Sequence, residues 1–216
     1  VQTCALPICV WVNRIWQHHF GRGIVASSSD FGKYGTPPTH PELLDWLASE
    51  FIRSGWDVKS LCRSIVTSAT YRQTSKSTPE QVERDPQNRW LSRSARFRMP
   101  SWMLRDQALS AAGLLVPVSG GRSVNAYQPE GVWEEATFGA KKYRQDSGED
   151  LYRRSLYTFW RRIVAPTLFF DNAPRQVCSV KQHRTNTPLH ALATLNDTTF
   201  VEAARRLAEQ IGRAHV

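Results

Sequence analysis

Apolar residues recur at helical spacing over much of this chain, and that pattern restricts its fold more than any other feature. The clearest case is PELLDWLASEFIRSG, in which one apolar face is followed by Gly55, a residue typical of a helix end. Similar patterns occupy 10–20, 57–73, 100–115, 187–197 and 197–209. The apolar face in the clearest case consists of Leu43, Leu44, Trp46, Leu47 and Phe51. We therefore predict a mainly α fold, an irregular helical domain.

Residues with known terminal preferences predict several helix boundaries. Pro41 suits the first position of a helix, and Asp57 is a suitable N-cap for the next one. Gly21 is expected to end the first helix, because glycine tolerates the left-handed conformation found there. Near the other end of the chain, Thr187 and Pro188 predict another helix start.

Two segments depart from the helical pattern. LYRRSLYTFWRRIV, at 151–164, alternates partly and is rich in aromatic residues, so we predict a small β element there. The segment at 117–150 is a long, Gly-rich loop. Loops of this length in compact domains are usually either functional or disordered, and its aromatic residues argue against disorder.

Length and charge limit the classes of function. The chain has 216 residues and a net charge of +9, which suits one domain and permits a polyanionic partner. The charge is dispersed, however, and no helix-turn-helix, zinc-finger or RNA-binding motif is present, so we do not expect nucleic acid as a partner. No run of about eighteen apolar residues occurs, and we predict no transmembrane segment in this fragment.

The two ends of the chain, VQTCALPIC and QIGRAHV, can be encoded by one DNA string read in opposite directions. That string resembles a widely used sequencing-library adapter. We therefore expect residues 1–9 and 210–216 to be adapter-derived and not native. Residues 10–209 are then expected to form a single domain that is truncated at its C-terminal side.

Cysteine and histidine spacing gives no metal or haem signature. With residues 1–9 set aside, Cys62 and Cys178 remain, and neither lies in a CxxC or CxxCH motif. They form either one disulfide or two buried thiols. His18 and His19 are neighbours on a predicted helix, so their side chains point about 100° apart and are poorly placed to share a metal ion. We predict no metal site and no cofactor in this fragment.

Arginine is concentrated between 153 and 197, among aromatic residues. Its planar guanidinium binds sulfate, phosphate or carboxylate through paired hydrogen bonds. HRTNTP precedes a predicted helix, where free backbone N–H groups favour an anion. The alternative is that a threonine only caps the helix while the arginines pair with acidic residues. The residues predicted to bind an anion are Arg154, Arg175, Arg184, Thr185 and Thr187.

Three residues are candidates for general acid–base catalysis, namely Asp30, His18 and Asp171. Nothing in the sequence places them opposite one another. Cys178 with His183 is a further combination of a nucleophile and a base, although a buried cysteine is the commoner role. The sequence alone therefore leaves open whether the protein is an enzyme.

Several long motifs occur in an order that resembles a known family, the planctomycete-type domain of unknown function 1553 (DUF1553). They include VNRIWQHHFGRGIV, YQPEGVWEE, GEDLYRRSLYTFWRR and RTNTPLHALATLNDTTFVEAAR, and the resemblance covers nearly all of 10–209. It implies a mostly helical domain at the C-terminal side of a larger exported protein of the periplasm or cell envelope. It also implies a cytochrome-c-like haem domain upstream, outside this fragment, and genes for sulfatase-like proteins nearby.

The arginine-rich segment and the resemblance together suggest a function. We expect a domain of an exported multidomain envelope protein that binds or processes polyanionic, sulfated polysaccharide. Its expected partners are an acidic or sulfated glycan and the upstream domains of the same parent chain. One alternative is a non-catalytic scaffold that docks a cytochrome-c-like haem domain in electron transfer, and another is an enzyme of a different kind.

Overall fold

The computed structural model describes residues 6–161, 164–171 and 186–214. Within these ranges α-helices dominate and no extended strand occurs, so the predicted mainly α fold is confirmed. The chain divides into two compact units, Val1–Phe97 and Arg98–Val216. We call them the N-terminal unit and the C-terminal unit. None of the helices in the described ranges is long and apolar enough to cross a membrane.

Helix boundaries in the N-terminal unit follow the sequence signals. Gly21, with φ of 73°, ends the first helix, and its N–H donates to the Gln17 carbonyl at 2.8 Å. Pro41 is the first residue of the second helix, and the Asp57 carboxylate caps the third by accepting two backbone N–H groups. The helices are α1 Leu6–Phe20, α2 Pro41–Arg53, α3 Val58–Thr67, α4 Ala69–Arg72 and α5 Pro79–Arg84.

The core of the N-terminal unit lies where α1, α2 and α3 pack together. Burying each large apolar side chain contributes about 1.5–3 kcal/mol. Three residues predicted to be buried are placed differently: Trp46 on α2 is 55% exposed, and Val58 and Val66 on α3 are 40% and 36% exposed. The core consists of Cys9, Val12, Ile15, Trp16, Phe20, Ile24, Val25, Leu44, Leu47, Ala48, Phe51, Leu61 and Ile65.

A buried asparagine fixes the chain where it leaves α1. The Asn13 side chain donates to the Val25 carbonyl at 3.1 Å and accepts the Val25 N–H at 2.9 Å. Gly23 lies in the same bend, and a Cβ there would come within 2.7 Å of the Asn13 amide and 2.5 Å of the Val25 carbonyl oxygen. Only glycine fits this close approach. The bend therefore has one backbone path, which fixes the backbone of the neighbouring Arg22.

The start of α1 contributes to this core. Cys9 is buried and disulfide-bonded, and Ile8 packs against the core from the previous position. Removal of residues 1–9 would therefore take apolar contacts from the N-terminal unit. Cys62 is a free thiol on α3 that also packs against the core, whereas Cys178 lies outside the described residues.

The C-terminal unit is built around two helices that pack on each other, α6 at Ser101–Ala111 and α9 at Thr198–Ala214. The predicted long Gly-rich loop contains the short helix α7, and Trp133 anchors it with only 8% of its surface exposed. Thr187 and Pro188 begin α8 as predicted. The helices are α6 Ser101–Ala111, α7 Val132–Ala136, α8 Pro188–Asn196 and α9 Thr198–Ala214.

The β element predicted at 151–164 is reduced to two isolated bridges, Val116 with Arg153 and Val124 with Thr158. The segment instead forms two 3₁₀ turns, Gly148–Tyr152 and Ser155–Tyr157. The alternation that suggested a strand is real, since Leu151, Arg153 and Ser155 are buried in turn. The 3₁₀ turns interrupt the extended backbone, however, so no continuous ladder of hydrogen bonds forms.

Candidate functional site

Two of the five residues predicted to bind an anion are described by the structure. Arg154 is exposed, and Thr187 is the exposed N-cap of α8. Arg175, Arg184 and Thr185 lie outside the described residues, as do Cys178 and His183. This predicted anion site therefore stays a prediction.

Asp30 and His18, two of the candidate catalytic residues, belong to the N-terminal unit. His18 is exposed on α1, and Asp30 lies in the loop that leads to α2. The Asp30 carboxylate accepts the Gly32 N–H at 2.7 Å, and its backbone carbonyl accepts the Ser27 hydroxyl at 2.7 Å. These bonds stabilise a local turn, which is the commonest role of aspartate in a loop.

Asp171, the third candidate, caps α6 from a distant part of the sequence. It is only 7% exposed, and both carboxylate oxygens accept the Ser101 N–H at 3.1 Å. The Ser101 hydroxyl donates to the same carboxylate. The residue before Ser101 is Pro100, which provides no side-chain cap. Asp171 therefore supplies the anionic cap that this helix start would otherwise lack.

Arg105 is a buried structural cation at the centre of the C-terminal unit. It is fully buried, and its guanidinium donates to the carbonyls of Arg153 and Leu151 at 2.8 and 2.7 Å. Burial lowers the pKa of Arg105, and the charges of Asp106 and Asp197 oppose that shift. The carboxylate of Asp106 lies 3.6 Å away. Arg105 thus holds the 3₁₀ segment against α6.

Arg153 plays a similar part towards the Gly-rich loop. It is 6% exposed and donates to the carbonyls of Arg122, Gly120 and Val118. Its guanidinium also lies over the Tyr157 ring, 4.1 Å from the ring centroid. These contacts use both terminal nitrogens of the buried guanidinium, so Arg153 shapes the loop and is not available to a ligand.

A pocket in the N-terminal unit gathers four arginines around about 320 Å³ of open space. We call it the arginine pocket. Its walls come from the end of α1, the bend after it, the start of α2 and the segment that follows α5. Among the described residues, its lining holds no aspartate or glutamate. The residues that give it its character are Arg22, Arg89, Arg93, Arg96, His40, Gln87 and Asn88.

The four arginines differ in how far they are engaged. Arg93 donates to the backbone carbonyls of Asp85, Pro86 and Gln81, which fixes its side chain in the wall. Arg22 donates to the side-chain oxygen of Gln87. Arg89 and Arg96 are exposed and have no side-chain hydrogen bond to the described residues. None of the four has an ion pair with a carboxylate in the described ranges.

The electrostatic consequence is a concentration of positive charge with no ion-paired carboxylate in the described lining. Like charges in one cavity repel, and an anion that enters it relieves that repulsion and gains charge-assisted hydrogen bonds. The Nε of Arg22 is buried with no acceptor, but the same is true of Arg105 and Arg153. Two features instead favour an anion here: the described lining has no carboxylate, and the donors of Arg89 and Arg96 face solvent.

A buried carboxylate holds one wall of the arginine pocket in place. Asp85 is 8% exposed and accepts the backbone N–H groups of Arg89 and Trp90, each at 2.8 Å. Burial alone would raise the pKa of Asp85, but these two hydrogen bonds and the charges of Arg93 and Arg89 lower it below its ordinary value. Asp85 stays ionised at neutral pH and fixes the loop that presents Arg89.

This pocket was not predicted, because most of its arginines lie between the helical patterns at 57–73 and 100–115, where the sequence suggested no site. The available signal was RWLSRSARFR, at 89–98, where arginine recurs every two to four residues beside aromatic ones. Arg22 also belongs to the site, although it lies 65 positions before its hydrogen-bond partner Gln87. A local sequence pattern cannot show a contact over that separation. Within residues 6–161, 164–171 and 186–214, no group of three or more His, Cys, Asp or Glu side chains is placed to hold a metal ion.

Comparison with known proteins yields a family and nothing finer. The sequence model of the PSD1 family, described as protein of unknown function (DUF1553), matches residues 5–215. No curated protein and no solved structure matches the chain.

Proposed function

The chain belongs to the DUF1553 family, and from that premise and the arginine pocket we propose that it binds polyanionic, sulfated polysaccharide. We place this activity in an exported multidomain protein of the bacterial envelope. Fractionation of cells that make the full-length parent protein tests the location. Recovery of the protein in the cytosol would contradict it.

The observation that carries the proposal is the four-arginine lining without a carboxylate. Sulfate groups match the guanidinium fork, because two N–H donors can bind two sulfate oxygens at once. Arginine keeps its charge at every physiological pH, so such a site would bind a permanently charged ligand over a wide pH range. The exposed Arg89 and Arg96 leave room for a polymer to continue beyond the pocket.

The test is a calorimetric titration of the full chain with a sulfated oligosaccharide at low and moderate salt. Arg89→Ala and Arg96→Ala should each weaken binding about tenfold, on the order of 1.5 kcal/mol, the scale of a hydrogen bond to a charged group. Lysine at either position should restore only part of the affinity, because it keeps the charge but lacks the fork. Affinity should fall as salt rises.

The matched controls are Arg14→Ala and Arg63→Ala, which remove the same charge from exposed positions on α1 and α3. These variants should bind almost as well as the wild type. Equal losses in the pocket and control variants would show that only net charge matters. The absence of saturable binding at moderate salt would refute the proposal.

The anion site predicted around Arg184, Thr185 and Thr187 is the rival location for the same ligand. If the sulfate group binds there, Arg184→Ala should weaken binding by roughly 1.5–3 kcal/mol. If the arginine pocket carries the affinity, that variant should bind like the wild type. The same titration therefore decides between the two places.

A docking scaffold is the second candidate function, because α8 presents a row of leucines to solvent. Leu189, Leu192 and Leu195 are 73%, 57% and 75% exposed, and contiguous exposed apolar surface is typical of interaction sites. In this proposal the row docks the upstream cytochrome-c-like haem domain. Leu192→Asp should then weaken association with that separately expressed haem domain. Unchanged association would exclude this use of α8.

A further inference from the structure

We propose that the arginine pocket recognises a sulfated sugar residue, with the sulfate group among the arginines and the sugar ring against Trp90. This inference rests on the proposed function and adds what distinguishes a glycan from other polyanions. The arginines alone would bind any multivalent anion, whereas an aromatic face beside them selects a ligand that also carries an apolar surface.

Trp90 does not itself line the pocket, but it is open to solvent beside residues that do. Its side chain is 65% exposed, although tryptophan is usually well buried. Its ring contacts the ring of His40 edge to face, with 5.9 Å between the centroids, and His40 lines the pocket. The preceding residue, Arg89, also lines the pocket. An aromatic surface and an unpaired guanidinium therefore lie side by side at one rim.

The backbone that carries this rim is held rigidly. Asp85 binds the N–H of Arg89 with one carboxylate oxygen and the N–H of Trp90 with the other. Leu91, the next residue, has φ of 54°, a conformation that leucine rarely adopts, and the Gln73 side chain holds its carbonyl at 2.7 Å. A backbone fixed in this way lowers the ordering cost of presenting Trp90 to a ligand.

The chemistry of a sulfated sugar fits this arrangement. A pyranose ring has an apolar C–H face, which packs against an indole face as other apolar surfaces do. A sulfate substituent on the same ring supplies the anionic oxygens for the arginines. Tripolyphosphate would use the arginines only, and a single-stranded oligonucleotide would instead stack its bases on Trp90.

The experiment titrates the full chain with three probes: a sulfated oligosaccharide, tripolyphosphate and a single-stranded DNA oligonucleotide. Trp90→Ala should weaken binding of the sulfated oligosaccharide about tenfold and leave tripolyphosphate binding unchanged. Trp90→Phe should recover most of the loss. Trp46→Ala is the matched control, because Trp46 is 55% exposed in the same unit and neither it nor an adjacent residue lines the pocket.

The outcomes separate this inference from the function on which it rests. If the wild type binds the sulfated oligosaccharide through Arg89 and Arg96 but Trp90→Ala has no effect, the sugar contact is wrong and the anion site stands. An equal loss for tripolyphosphate would also overturn it, by showing that Trp90 only supports the fold. Tighter, Trp90-dependent binding of the oligonucleotide would assign the surface to nucleic acid. A wild type that binds none of the probes refutes both proposals.

Discussion

In the C-terminal unit, Arg105 and Arg153 are buried and donate to backbone carbonyls, whereas in the N-terminal unit Arg89 and Arg96 are exposed beside a cavity without carboxylates. Local sequence does not distinguish the two pairs, since each of the four arginines has an aromatic residue within three positions. Their roles differ because of what the fold places around them.

The difference shows how to separate structural arginines from ligand-binding ones. Burying a guanidinium is costly unless most of its donors find acceptors, and Arg105 and Arg153 meet that condition with main-chain oxygens. An exposed guanidinium in a concave site keeps its donors for a ligand. Arg93 is intermediate, because it lines the arginine pocket while bound to three carbonyls.

The largest expected effect is on the structural side of the comparison. Arg105→Ala should lower the free energy of unfolding by about 3–5 kcal/mol, because it leaves buried carbonyls of Leu151 and Arg153 without donors and opens a cavity. Urea unfolding monitored by circular dichroism measures this. Arg14→Ala serves as the control and should have little effect. A loss below about 1 kcal/mol would mean that Arg105 does not organise the C-terminal unit.

A smaller loss is expected when α6 loses its cap. Asp171→Ala should lower the free energy of unfolding by about 1–2 kcal/mol, the usual cost of removing an N-terminal cap. Asp171→Asn should retain part of that stability, since asparagine can also accept from the Ser101 N–H. The same urea measurement applies. Unchanged stability in Asp171→Ala would restore Asp171 as a candidate for acid–base chemistry.

An acid-sensitive contribution is expected from the Gly-rich loop. The hydrogen bond from Arg122 is the main reason that the pKa of Asp146 is lowered, and the Asn125 N–H adds to it against the effect of burial. A lowered pKa gives stability that is complete above the unfolded value of about 3.9 and is lost as pH falls through the folded value. Wild type should therefore lose more stability than Asp146→Asn between about pH 5 and pH 2.5. Parallel pH profiles in thermal melts would contradict this.

The smallest effect on stability is expected on the binding side of the comparison. Arg89→Ala and Arg96→Ala should change the free energy of unfolding by no more than about 0.5 kcal/mol, because both side chains are exposed and neither makes a hydrogen bond or ion pair within the described residues. A larger loss of unfolding free energy in either variant would show that the arginine stabilises the fold. Urea unfolding of both variants beside Arg105→Ala completes the comparison.

Local signals in the sequence were enough for most helix boundaries. Gly21, Pro41 and Asp57 lie where their backbone preferences predict, because a cap or a stop depends on a few adjacent residues. The prediction of a strand at 151–164 was wrong over the described residues, because it also relied on a local pattern. Alternating burial is compatible with 3₁₀ turns as well as with a strand, and only the hydrogen bonds distinguish them.

The contacts that define the sites join residues far apart in the sequence, so local sequence patterns could not predict them. Asp171 caps Ser101 across 70 positions, and Arg22 meets Gln87 across 65. The candidate acid Asp171 therefore has a capping role that its surroundings in the sequence do not suggest. The arginine pocket requires a helix end, a glycine bend and a carboxylate-held loop to come together. The sequence predicted the helix end at Gly21, but nothing local showed that the three segments meet.

The most direct test is nuclear magnetic resonance of the arginine side-chain Nε–H groups during a titration with sulfated oligosaccharide. Single Arg→Lys variants assign the signals. The signals of Arg89 and Arg96 should shift and saturate together, while those of Arg105 and Arg153 stay in place. Unmoved Arg89 and Arg96 signals at saturating ligand, or equal shifts in all four, would contradict the division between ligand-binding and structural arginines.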